Sequence, residues 1–145
     1  MPFDRTSLPP PGSVLLTDWT LAGSHDLRRL RADVADVLAG QRIPAARMLD
    51  AVPDKMSTAA SELATNALCH GAPPTRVSLR RHAGAFIVDV TDADIHRFPV
   101  PVTGPTDGWG LRIVDGLADL TGWYTDEQVK HVWAQFTMPL WPLTA

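Results

Sequence analysis

The 145-residue chain has a single cysteine, no low-complexity tract, no cluster of basic residues and no apolar run long enough to span a bilayer. One cysteine, Cys69, cannot close an intramolecular disulfide, and no CxxC or Cys/His grouping has zinc spacing, so a reducing cytoplasm is the expected compartment. The 13 Lys and Arg are scattered and the formal net charge is -3, which leaves no electrostatic footprint for nucleic acid or an anionic membrane. The opening "MPFDRTSLPPPGS" lacks a basic region followed by an apolar core, so no secretion signal is expected there. Its prolines mark residues 1–12 as a flexible entry segment. Residues 13–145 are long enough for one domain with its own core, and an apolar share of 45% fits an ordinary globular protein.

Hydrophobic periodicity sets the order of elements. "SVLLTDWTLAG" reads as a first strand, and Ser24 is the expected N-cap of a helix with Leu27, Leu30, Val34 and Val37 at helical spacing before Gly40. Pro53 suits a first helical turn and not an interior, so a short helix precedes it and a long one runs from it to Gly71, Pro73 and Pro74. "TRVSLRRH" and "AFIVDVTD" alternate as a hairpin about His82, Ala83 and Gly84. A helix is expected from about Gly110, burying Leu111, Val114, Leu117 and Ala118, and a last hairpin alternates Val132, Ala134 and Phe136 with Trp133 and Gln135. This order predicts an α+β two-layer sandwich, a mixed and mostly antiparallel sheet with helices on one face, without the βα alternation of a dinucleotide fold.

The long helix carries an unusual polar face. At about 100° per residue, Met56, Ala60, Leu63 and Ala67 form one stripe, and Thr58, Glu62, Thr65, Asn66, Cys69 and His70 another. A solvated face is the ordinary explanation, but such faces favour Lys, Glu, Gln and Arg over Thr and Asn, which are poorer helix formers. Glu62 and Asn66, at i and i+4, can meet one ligand together: the amide oxygen suits a hard cation such as Mg²⁺, and the carboxylate can take a proton.

Two further segments bear on chemistry. Asp92 ends an apolar strand in "VTDADIH", as a turn residue or as an acceptor for an exocyclic amine such as that of adenine. "GPTDGWGL" sets Gly104, Gly108 and Gly110 before a helix, where main-chain N–H groups can approach an anion. It is neither a P-loop nor a dinucleotide fingerprint. Asp92, Asp94 and His96 also alternate, which would suit a metal site only if the strand continued through them.

In order, Glu-x-x-x-Asn on a helix, an aspartate at a strand end, a loop, Gly-x-Gly-Leu opening a helix and a hairpin bearing "KHVWA" resemble the ATP-binding (Bergerat-fold) domain of the GHKL superfamily, which includes gyrase, histidine kinases and MutL. Within it the pattern looks most like the small stand-alone anti-sigma-factor serine/threonine kinases of bacteria, particularly the actinobacterial type, from about Ser13 to Phe136. A histidine kinase itself is not expected, since no N-terminal dimerising phosphoacceptor hairpin precedes the domain.

The resemblance implies ATP and Mg²⁺ as ligands, Glu62 as general base and Asn66 as the residue holding Mg²⁺ against the triphosphate. His70 would lie beside the phosphates, or act as a capping or core-edge histidine. Asp92 would read the adenine amino group, the run Gly108, Trp109, Gly110 and Leu111 would hold the phosphates, and residues 95–107 would form the lid, kept short by Pro99, Pro101 and Pro105. Two positions depart from the pattern and fall among the expected nucleotide contacts: Asp94 where a glycine is usual, and His131 where a threonine follows the lysine. The implied activity is phosphorylation of a STAS-type anti-anti-sigma protein by a kinase that also binds a sigma factor, often as a homodimer. The alternative is a catalytically weak module of the same fold acting by partner sequestration.

Overall fold

The computed structural model describes residues 6–97, 99 and 109–138, with Trp109 represented by its main chain alone. Strand β1 (Val14–Leu21) leads through a 3-10 turn (Ser24–Asp26) into helix α1 (Leu27–Ala39). Helices α2 (Ala45–Leu49) and α3 (Val52–His70) follow, then strands β2 (Thr75–His82) and β3 (Ala85–Asp92), helix α4 (Trp109–Leu117), and strands β4 (Leu120–Thr125) and β5 (Lys130–Thr137). Pro53 sits in the first turn of α3, where its missing N–H costs no hydrogen bond. Ala51, at φ 56°, makes the left-handed break that separates α2 from α3.

The strands form one sheet in the order β1-β2-β3-β5-β4. The expected two-layer sandwich is present, but every pairing among the described residues is antiparallel, so the sheet is not mixed. Strand β5 enters its place beside β3 from a hairpin with β4, which gives it the reverse direction. Helix α3 crosses the front of β2, β3 and β5, flanked by α1 and α4. Its stripe of Met56, Ala60, Leu63 and Ala67 is buried there with Val77, Leu79, Phe86, Val88, Val90, Val132, Ala134 and Phe136. Each large side chain so buried stabilises the fold by about 1.5–3 kcal/mol before entropy is counted.

Three local expectations change. Ser24 caps nothing: the chain enters α1 through the 3-10 turn, and Asp26, at the N-cap position of α1 but without a side-chain cap bond to it, turns its Oδ2 back to accept the main-chain N–H of Ala22 at 2.8 Å and of Gly23 at 3.4 Å. Those bonds hold the Asp26 carboxyl below its ordinary pKa, the Ala22 bond most strongly. The β2–β3 turn is only Ala83 and Gly84, since His82 pairs with Ala85 inside the ladder. The back of the sheet is not simply polar, because Ile87, Trp133 and Gln135 are buried. Part of that cover comes from Ser7, whose N–H donates to the Trp123 carbonyl at 2.8 Å and whose carbonyl accepts the Trp133 indole N–H at 2.9 Å. No helix among the described residues is long and apolar enough to cross a membrane.

Candidate functional site

The C-terminal half of α3, the end of β3 and the start of α4 meet at one edge of the helical layer. Glu62 and Asn66 lie one turn apart on α3, both partly exposed. Helix α4 abuts that turn so closely that a Cβ on Gly110 would stand 2.9 Å from Glu62 Oε2. A side chain at position 110 would push the Glu62 carboxylate aside. The first turn of α4, whose free N–H groups and helix dipole favour an anion, thus begins beside the Glu62 turn of α3.

A second glycine sets the other end. Gly71 closes α3, and a Cβ there would stand 2.7 Å from both Ala67 O and Asp92 Oδ1. The Asp92 carboxyl group rests on this bare stretch of backbone with 2% exposure. Its Oδ1 accepts the N–H of Asp94 at 2.8 Å and of Ala72 at 3.4 Å. Its Oδ2 faces Lys130 Nζ at 3.3 Å, and that lysine side chain is only 4% exposed. The pair follows from the ladder, in which Asp92 lies directly opposite Lys130. Such a buried pair survives only with its remaining donors satisfied, and Lys130 Nζ also donates to the Arg97 carbonyl at 2.8 Å.

The same register moves His131 away from the site. It is paired with Thr91, one residue out of phase with Asp92, so its ring lies on the back of the sheet. There Nδ1 stands 2.9 Å from Asp89 Oδ2, Nε2 stands 3.3 Å from Asp126 Oδ2, and the ring stacks on Tyr124 at 4.3 Å between centroids. Burial alone would lower the His131 pKa, but the two carboxylates outweigh it and the net shift is upward. Burial first, and then Asp89 and Asp126, push the Tyr124 hydroxyl up to about 12.

Of the other expected residues, His70 is partly exposed at the end of α3, its carbonyl accepting Arg97 Nη1 at 3.0 Å. The Leu111 side chain is buried in the core rather than turned toward the site. Asp94 is folded onto its own loop: its Oδ1 accepts the N–H of His96 and of Arg97, each at 3.2 Å. Gly108, the Trp109 side chain and most of the lid, residues 98 and 100–107, lie outside the described residues. The metal reading of Asp92, Asp94 and His96 fails, because no group of three such ligands exists among the described residues and Asp92 is committed to Lys130.

These residues fit a nucleotide. A buried carboxylate accepts only, as an exocyclic amine requires; Gly71 leaves room for it against the end of α3; and Glu62 lies beside the first turn of α4 with Asn66 one helical turn on. Lys130, Arg97 and Gly71 are contributions that sequence reasoning passed over. The signal was available only for Lys130, which stands beside His131 in the quoted "KHVWA", and a strand offset of one residue decided between them.

The site lies on a two-layer α+β domain that carries Glu62 and Asn66 on one helix and a buried Asp92 at the end of a strand. The chain matches the histidine kinase-like ATPase domain over residues 22–136 and belongs to that family. It is therefore an ATPase-type domain of the GHKL kind, a type that implies ATP binding. No curated protein matches the chain.

Proposed function

We propose that the protein is an anti-sigma factor and ATP-dependent serine/threonine kinase, which phosphorylates a STAS-type anti-anti-sigma protein in the cytoplasm, works with a sigma factor in a partner-switching system and can form a homodimer. The observation that carries the kinase reading is Glu62, which lies against Gly110 in the first turn of α4 and one helical turn from Asn66. In this reading Glu62 accepts the proton of the attacking hydroxyl, and the first turn of α4 supplies N–H donors to the phosphates. Asn66 offers its amide oxygen to Mg²⁺, and Asp92 accepts the base amine. ATP supplies the transferred phosphoryl group, with Mg²⁺ neutralising its charge. The residues contribute mainly position and charge.

One observation favours the weaker, sequestering form of the same fold. Asp92 is closed in an ion pair with Lys130 and is nearly inaccessible. His131 no longer counts toward that reading, because it faces away from the site.

The test is transfer of γ-labelled phosphate from ATP to a STAS-domain protein, with Glu62→Gln and Asn66→Ala beside the parent chain. Mg²⁺-dependent labelling of the STAS protein, lost in both variants, is the expected result. ATP binding without transfer, and unchanged partner capture by Asn66→Ala, would replace the kinase with the sequestering module. Absence of binding at millimolar ATP would end the kinase and leave a binding module of the same fold.

A further inference from the structure

We propose that residues 93–97 form a latch over the Asp92–Lys130 pair, set by Asp94 and fastened by Arg97, and that this latch controls access to the base end of the nucleotide site. The inference rests on the reading of Asp92 as the base-binding carboxylate.

Three contacts build the latch. Asp94 Oδ1 accepts the N–H of His96 and of Arg97, each at 3.2 Å, which turns the chain back on itself directly after β3. The turn brings the Arg97 carbonyl to Lys130 Nζ at 2.8 Å, above the ammonium that faces Asp92. The Arg97 side chain reaches the other way, Nη1 donating to the His70 carbonyl at 3.0 Å, where a cation also complements the C-terminal end of α3. The strap is thus tied to both walls of the site, to β5 through its main chain and to α3 through its guanidinium.

Beneath it, Asp92 is 2% exposed. Oδ1 already holds two N–H donors, so an incoming amine must use Oδ2, beside Lys130. That approach passes Lys130, and the Arg97 carbonyl sits on it. The strap must therefore lift before a base can enter, and the apparent affinity falls by the fraction of molecules that are open. The bonds that shape and fasten the strap at Asp94 and His70 are exposed and individually weak, so the latch can open there at a cost set mainly by the Lys130–Arg97 carbonyl bond.

Asp94 gains a physical role from this. A glycine in its place supplies no acceptor for the two N–H groups that shape the strap, and an asparagine does.

The experiment reads Lys130 directly. Amine acetylation at Lys130, followed by mass spectrometry, is timed in the parent chain and in Asp94→Gly, Asp94→Asn and Arg97→Ala, with ATP affinity by calorimetry alongside. The latch predicts slow labelling in the parent and in Asp94→Asn, and labelling on the order of ten times faster in Asp94→Gly and Arg97→Ala. ATP affinity should rise by a similar factor in the two fast variants. Equal labelling of Asp94→Gly and the parent overturns the latch whatever the nucleotide does. Equal acceleration in Asp94→Asn and Asp94→Gly also overturns it, since charge rather than the turn would then be responsible. Faster labelling as predicted with no ATP binding in any chain keeps the latch and removes the nucleotide reading of Asp92.

Discussion

His131 stands between two carboxylates, and a carboxylate can only accept, so both contacts are made only when both ring nitrogens carry protons. The fold therefore favours the imidazolium over the neutral ring. Its ordinary pKa is 6.5 and the folded value is higher, so the folded protein binds this proton more tightly than the unfolded chain. The resulting stabilisation is fully present below about pH 6.5 and is lost as pH rises through the folded pKa. The perturbation is His131→Phe, which keeps a ring against Tyr124 and removes both donors. At 2.9 Å and an effective dielectric of about 20, the attraction of His131 to Asp89 is about 6 kcal/mol, and desolvation cancels much of it.

A net value for one hydrogen bond between charged groups is about 1.5–3 kcal/mol. The upper end applies, because Asp89 is 14% exposed, and its Oδ1 already lacks a partner among the described residues. Asp126 is half exposed and water replaces its contact easily. We expect His131→Phe to lose about 2–3 kcal/mol at pH 6 and distinctly less at pH 9. Urea unfolding of both proteins at both pH values measures the difference, and an NMR titration of the His131 ring gives the folded pKa. A gap of equal size at the two pH values, or a ring pKa at or below 6.5, would refute the imidazolium.

Three other outcomes are expected, each read from urea midpoints. Gly71→Ala places a methyl 2.7 Å from Asp92 Oδ1 and should cost about 1–3 kcal/mol, as overpacking does. Ala51→Gly relieves a left-handed φ of 56° and should gain up to about 1 kcal/mol, since α2 and α3 stay as they are. Lys130→Met strands the buried Asp92 charge and should lose about 3–5 kcal/mol, most of which returns when Asp92→Leu is added.

Element type was legible in the sequence wherever periodicity and a stop signal agreed. The stripe of Met56, Ala60, Leu63 and Ala67 and the placement of Pro53 outlined α3 because burial and backbone chemistry act there over short spans. What a strand's outer face meets was not legible. Ile87 and Trp133 alternate as outward residues and are buried nonetheless, partly because Ser7, more than a hundred positions from Trp133, ties to that face. Long-range cover of this kind leaves no periodic trace. Ser24 is not the cap of α1 for a related reason: the chain enters α1 through a 3-10 turn, which puts Asp26 at the N-cap position with its carboxylate turned back to the N–H groups of Ala22 and Gly23.

The candidate site turns on parity in one strand pair. The residues Glu62, Asn66 and Asp92 could be named from spacing, since each lies on its own element. Whether Lys130 or His131 faces Asp92 depends on the offset between β3 and β5, and a slip of one residue would exchange them. The observed register puts a permanent cation against the strand-end carboxylate and a titratable one on the opposite face, next to Asp89. With the opposite parity, Asp92 would change its partner's charge near neutral pH, and any ligand competing for it would do so too. In the observed register the histidine of this strand pair titrates on the back of the sheet, and access to Asp92 is governed instead by what covers Lys130. The two faces can therefore be perturbed separately: the His131→Phe effect on stability and the Asp94→Gly effect on Lys130 labelling should add without interaction, because they share no contact.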